Sequence, residues 1–327
     1  MPVTSSTAVQ IMDEVKKAVI GKDDCIRKVL SAILAGGHIL IEDIPGVGKT
    51  TMAVAFSRSM GMLQHRVQFT PDVLPADITG FTMFQKDTGL FEYQPGAIMC
   101  NLFLADEINR ASPKTQSALL EVMEEGRVTV DRITHPVPDP FVVIATENPF
   151  GSAGTQMLPE SQLDRFFICI TMGYPDIKDE IEIVKGTFDK KAYEKIQPVI
   201  SPDMLIQMQG EVQAVFVHDV LYNYIGRLIT ATRTHPLIQT GLSPRGTIAL
   251  AKMAKAAAYL DGRDFCIPAD VAYAFPDVAC HRIHLNAKAR AGHTRTEDVI
   301  RDILKNTPSP TPKKSGRKET AKKEVSE

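Results

Sequence analysis

Residues 38–61, HILIEDIPGVGKTTMAVAFSRSMG, constrain the fold more than any other stretch. HILIE is short, apolar and β-branched, and reads as a buried strand. It runs into a turn holding Gly46 and Gly48, and TTMAVAFSRSM then has helix-forming content up to Gly61. Strand, glycine turn, helix is the context a phosphate-binding loop requires. There, consecutive backbone N–H groups curl around a phosphate and the helix adds its positive end. Glycine is needed where the backbone approaches closely or takes φ > 0. Lys49 would reach the β- and γ-phosphates, and Thr50 would hold Mg²⁺. One position departs from G-x-x-x-x-G-K-[ST]: Asp43 stands where the first glycine falls, and is expected to cap the turn through backbone N–H groups.

The strand signal recurs. HRVQF (65–69), NLFLA (101–105), FVVIA (141–145) and FFICIT (166–171) are four more short apolar runs. Five such strands with helical segments between some of them predict an α/β fold with a mostly parallel sheet covered on both faces. SPKTQSALLEVMEEG predicts a helix capped by Ser112, with Pro113 at its first position and Gly126 after its end. Near the start, Val9, Met12, Val15 and Val19 recur at helical spacing and predict an amphipathic helix.

Two stretches break the αβ alternation. Residues 76–99 hold two short apolar runs around Lys86-Asp87-Thr88-Gly89, and 127–134 (RVTVDRIT) bend at Asp131-Arg132. Both predict inserted β-hairpins. After Tyr174-Pro175 the pattern becomes helical, with N-cap-plus-proline starts at Ser201-Pro202 and Ser243-Pro244. The predicted organisation is an αβα nucleotide-binding domain over 1–174, a small all-helical domain over 175–305, and a disordered, somewhat basic tail over 306–327.

Net charge is −2, which gives no global drive toward nucleic acid or acidic membranes. No run approaches 18 apolar residues, so no membrane-spanning helix is expected. The five cysteines are scattered without a C-x-x-C pair and no secretory leader is evident, which reads as reduced thiols in a cytoplasmic protein. His281-x-x-His284 puts two imidazoles on one helical face; with no third ligand evident, a surface or interdomain pair is expected.

The chemistry lies downstream of the loop. NLFLADE ends an apolar strand in two carboxylates: Asp106 can orient Mg²⁺ and Glu107 can polarise the attacking water as general base. FVVIATENP ends in Asn148, and parallel strands gather their C-terminal ends on one edge, so Asn148 can position that water. Arg245 opens a helix of the second domain, from which it could reach phosphate. Arg165 precedes a strand, where it could enter a neighbouring site and stabilise transition-state charge.

GVGKTT, NLFLADEINRASPKTQSALLEVMEEG, ATENP and LPESQLDRF together resemble the MoxR family of AAA+ ATPases, over about residues 15–300. The resemblance implies that Pro45, Gly46, Val47, Gly48, Lys49, Thr50 and Thr51 form the Walker A segment. Asp106 and Glu107 then match Walker B, Asn148 sensor 1, Arg165 the arginine finger given to a neighbour, and Arg245 sensor 2, in cis or in trans. Val19, Ile20 and Gly21 match the adenine-side turn. The hairpins match inserts that line a ring pore or face clients. Glu147 departs from the amide many relatives carry there. The implied protein is an ATP- and Mg²⁺-dependent homo-hexameric ring that remodels a client protein, with a von Willebrand factor A domain protein as partner. Nucleic acid is disfavoured, but a nucleic-acid-remodelling AAA+ motor or a magnesium-chelatase-like subunit stays open, as does a nucleotide-binding module without turnover.

Overall fold

A computed structural model describes residues 4–44, 46–148, 156–184 and 195–310. Its centre is a five-stranded sheet built from β1 (Ile39–Glu42), β2 (Gln64–Gln68), β5 (Leu102–Asp106), β8 (Val142–Glu147) and β9 (Ile168–Ile170), in the order β2-β5-β8-β1-β9. Every pairing is parallel, with Ile39 opposite Ile144 and Ile168, and Gln68 opposite Asp106. Burial explains the composition. β5 and β8 are central and buried along their whole length, whereas edge strand β2 is half-exposed and polar.

Two helices precede β1. In α1 (Thr4–Lys16) the buried stripe is Ala8, Ile11 and Val15, while Val9 is exposed and Val19 lies beyond the helix. The predicted helix is therefore present with its face turned: Ala8, Ile11 and Val15 follow the 3.6-residue period more closely than the Val9 series. α2 (Asp23–Leu34) buries Ile26, Val29, Leu30 and Ile33, each worth about 1.5–3 kcal/mol of apolar burial. α3 (Lys49–Ser59) follows the glycine turn. Between β2 and β5 lie α4 (Pro75–Thr79) and the antiparallel hairpin of β3 (Gly80–Gln85) and β4 (Leu90–Pro95). α5 (Pro113–Glu125) starts as predicted: Ser112 Oγ accepts the Thr115 N–H, and Gly126 closes the helix at φ 64°. The second hairpin pairs β6 (Arg127–Val130) with β7 (Ile133–Pro136), two residues longer than expected, and Asp131 and Arg132 take positive φ at its bend.

After the short α6 (Glu160–Leu163) and α7 (Ile177–Val184), the described chain is mainly helical: α8 (Pro202–Ala214), α9 (Asp219–Thr234), α10 (Pro244–Leu260), α11 (Pro268–Ala279), α12 (Ala287–Ala291) and α13 (Thr296–Asn306). Ser201 and Ser243 cap α8 and α10 as predicted. The helical part is continuous with the sheet: one core joins Ile26 and Ile33 of α2, Ile41 of β1, Phe56 of α3, and Leu250 and Phe275 of α10 and α11. α13 extends through Asn306, where the tail was expected to start; 311–327 lie outside the described residues.

His281 and His284 are interdomain but share no helical face: α11 ends at Ala279, His281 lies in the turn after it and His284 in a two-residue strand. His281 is buried, its Nε2 3.1 Å from Phe166 O just before β9, while His284 Nδ1 lies 3.4 Å from Glu160 Oε1. Burial, with the Arg282 charge beside it, holds the His281 pKa well below the ordinary imidazole range. Arg282, also buried, donates to Asp164 Oδ1 at 2.8 Å and to the carbonyls of Phe166 and Phe167, clamping α11 to the entrance of β9.

Candidate nucleotide site

The glycine turn has the geometry its residues imply. Gly46 sits at φ 87° and Gly48 at φ 95°, a region side-chain-bearing residues avoid. Gly48 is the N-cap of α3 and has no side-chain cap, so the first-turn N–H groups point into the turn as anion donors. Lys49 is buried, and its Nζ donates to Asp43 O at 2.6 Å and Glu147 O at 3.3 Å. Desolvation lowers its pKa, while the charges of Asp43, Asp106 and Glu107 oppose that shift. Pro45 lies outside the described residues.

Because all five strands are parallel, β5 and β8 deliver their ends to the same edge as this turn. Gly46, Gly48, Lys49, Thr50, Thr51, Asp106, Glu107 and Asn148 line one cleft of about 370 Å³. Thr50 and Asp106 both face it, so the chain presents a hydroxyl and a carboxylate, the hard oxygen donors that Mg²⁺ takes. Glu107 occupies the left-handed region at φ 57°, an uncommon place for a glutamate and one that directs it away from the strand.

Thr146, Arg66 and Gln68, missed from the sequence, support or line the cleft, and Arg110, which follows the strand-end carboxylates in the sequence, joins them. Thr146, fully buried in β8, donates to Asp106 Oδ1 at 2.6 Å and accepts from the Glu107 N–H at 2.9 Å, fixing both carboxylate residues. Arg66 Nη2 donates to Asp106 Oδ2 at 2.7 Å from the neighbouring strand β2, and Gln68 of the same strand lines the cleft. Arg110 pairs with Glu107 Oε2 at 2.9 Å.

Asp43 is more than a filled glycine position. Its Oδ1 accepts the Ile44 N–H at 2.8 Å, which is the expected cap. Its Oδ2 accepts the N–H groups of Met172 and Gly173, each at 2.6 Å, beyond β9. From the other side, Lys22 Nζ donates to the carbonyls of Met172, Gly173 and Tyr174 at 2.8–3.1 Å. Asp43 and Lys22 thus grip the segment that leads from the sheet into the helical part.

Comparison with known proteins follows this geometry. Residues 38–168 match the ATPase family associated with various cellular activities (AAA), and 230–303 match the AAA lid domain. Chaperone MoxR1 of Mycobacterium tuberculosis is 38% identical, the alignment covering 91% of this chain and 81% of that one. The chain belongs to the MoxR family of AAA+ ATPases. YeaC of Bacillus subtilis, an uncharacterized protein, is 46% identical over 90% of this chain and 92% of its own. A crystal structure from Cytophaga hutchinsonii, described as a candidate ATPase, superposes with a TM-score of 0.86 at 35% identity, covering 94% of this chain and 96% of that one.

Within this MoxR fold the two arginines lie away from the phosphate cleft. Arg165 precedes β9 and therefore sits at the N-terminal edge of the sheet, opposite the glycine turn. α5 runs back from the cleft edge, so its last turn also reaches that edge, where Glu124 meets both arginines. Arg165 Nη2 lies 3.1 Å from Glu124, and Arg245 pairs with the same carboxylate and lies 3.8 Å from Asp164. Arg165 Nε is buried without a hydrogen-bond partner among the described residues. The Val19-Ile20-Gly21 turn lies next to Lys22 and its grip on Met172–Tyr174. Val19 is buried in the core and Gly21 takes φ 67°.

Proposed function

We propose that this MoxR-family protein hydrolyses ATP in a homo-hexameric ring and uses the cycle to remodel a client protein. The observation that carries this reading is the convergence of Lys49, Thr50, Asp106, Glu107 and Asn148 in one cleft beneath an anion-binding glycine turn. Backbone N–H groups from Gly46 to Thr51 hold the β-phosphate, and Lys49 extends to the γ-phosphate. Thr50 and Asp106 would hold Mg²⁺, which would neutralise phosphate charge. Glu107 accepts the proton of the attacking water, and Asn148 orients that water. Val19, Ile20 and Gly21 contact the adenine side.

Arg165 and Arg245 act together on a neighbouring subunit's γ-phosphate. Their shared position at the sheet edge opposite their own cleft supports action in trans for both. Their partner Glu124 is half-exposed, so the pair is open to exchange for a phosphate.

The hairpins supply the client surface. Phe81, Met83, Phe84, Leu90 and Phe91 are all exposed on β3 and β4, with Phe91 73% accessible. An apolar tip favours protein over the phosphate backbone of nucleic acid, which would call for a basic one. A von Willebrand factor A domain protein is the partner that family membership suggests, and a cytoplasmic location fits the five free thiols.

Glu107→Gln tests the core of the reading. Turnover is expected to fall by at least about 100-fold with ATP binding retained. Unchanged turnover would remove Glu107 from the chemistry and support a non-hydrolysing module. DNA-stimulated turnover with a steep salt dependence would support a nucleic-acid motor instead.

A further inference from the structure

The sheet and the helical lid meet at a cluster that the nucleotide chemistry does not use. Cys169 of β9, and Cys280 and His281 just after α11, place one donor atom each within 4.8 Å of one another. Cys169 is buried, Cys280 is half-buried, and all five cysteines are free thiols. His281 is oriented for a ligand by its outer bond. Its Nε2 faces Phe166 O at 3.1 Å, so Nε2 carries the proton and Nδ1 carries the lone pair. That Nδ1 faces Cys280 Sγ at 3.8 Å. A histidine whose second nitrogen donates to a backbone carbonyl is the arrangement metal-bound imidazoles take. His284, the other half of the H-x-x-H pair, turns away to Glu160.

The surroundings suit a cation. Glu42 Oε2 lies 3.8 Å from the Cys169 sulfur. In the parallel register Glu42 stands opposite Glu147, and strand alternation puts both on the face that carries Leu40 and Cys169. Glu147 is 3% exposed and its Oε1 has no hydrogen-bond partner among the described residues. The positive Arg282 next in sequence is offset by its ion pair with Asp164.

We propose that Cys169, Cys280 and His281 form a site for a divalent ion of the zinc class, which ties β9 of the sheet to the lid. Two thiolates, one neutral imidazole and one divalent ion sum to zero charge, which a buried site requires. Binding displaces the two thiol protons to solvent and forms two metal–sulfur bonds and one metal–nitrogen bond. Since Met172 and Gly173, the residues gripped by Asp43, follow β9 directly, the ion would stiffen the link through which the cleft and lid move together.

The test is cobalt(II) and zinc(II) titration of the full-length, reduced protein. One equivalent of cobalt is expected to give the thiolate charge-transfer and tetrahedral ligand-field absorption bands, displaced by zinc, and zinc is expected to raise the melting temperature. Cys169→Ser and Cys280→Ser are each expected to weaken binding by at least about tenfold, while Cys25→Ser leaves it unchanged. Circular dichroism and nucleotide binding verify that each variant is folded. Cobalt spectra without thiolate bands, or binding undiminished in the folded Cys169→Ser/Cys280→Ser variant, would overturn the site.

Discussion

Asp43→Ala is the most informative single substitution outside the catalytic set. The native carboxylate accepts three backbone N–H groups, from Ile44, Met172 and Gly173. Hydrogen bonds to a charged acceptor are worth roughly 1.5–3 kcal/mol each, and orphaning a buried donor adds to the loss. Met172 is buried, so its N–H would be left unpaired, whereas Gly173 is half-exposed and water can replace its bond. Lys22 still holds the same segment through three carbonyls. The net cost is therefore about 3–5 kcal/mol, below the sum for three independent bonds, and lowers the melting temperature by roughly 6–10 °C. Asp43→Asn keeps one accepting oxygen and is expected to lose about half as much. Contacts from Gly46, Gly48, Lys49 and Thr50 do not pass through the carboxylate, so ATP affinity measured below the melting range should change less than about threefold. ATP turnover should fall further, because the link to the lid is loosened. The assay is differential scanning calorimetry with binding of a fluorescent ATP analogue, on Asp43→Ala, Lys22→Met and the double variant. The two single effects should fail to add by about 1 kcal/mol or more, since both act on Met172–Tyr174. Melting within about 2 °C of the parent, or strict additivity, would refute the clamp.

Other outcomes follow from the same geometry. Arg165→Ala and Lys49→Ala should each abolish turnover alone. Mixed together, they should recover part of it, because some interfaces then join an intact Lys49 to an intact Arg165; no recovery at assembling concentrations would argue for action in cis. Burial, reinforced by the Glu42 charge, pushes the Glu147 carboxyl up to about 7. The folded protein then holds this proton more tightly than the unfolded chain, so stability from this group is present below about pH 4.5 and is lost as pH rises through about 7. Glu147→Gln should flatten that slope and gain about 3 kcal/mol at pH 8, read from chemical denaturation across pH; a slope unchanged by the substitution would count against it. Thr146→Val removes the hydroxyl that joins Asp106 to the Glu107 N–H, and should reduce turnover by about 10–100-fold with the fold intact by circular dichroism.

The local elements were legible because their signals are local. Short apolar, β-branched runs marked the strands, Ser112, Ser201 and Ser243 marked helix starts, and Gly46 and Gly48 marked a turn that only positive φ can close. Strand-end carboxylates could be grouped because parallel strands share an edge, whatever their order. α1 shows the limit: Val9 and Ile11 are equally apolar, and only the packing against the core selects which one is buried.

Sequence by itself determined the strand–turn–helix unit and which polar side chains stand at the ends of β5 and β8, since backbone geometry there depends on nearest neighbours. Tertiary structure alone decided what lies across the strands. The order β2-β5-β8-β1-β9 brings Arg66 to Asp106 and Thr146 between Asp106 and Glu107. The return of α5 to the far edge gives Arg165 and Arg245 one carboxylate to share. The docking of α11 on β9 sets Cys280 and His281 beside Cys169. Each of these joins residues dozens of positions apart, and no periodicity along the chain encodes a neighbour that only the closed sheet and lid bring near.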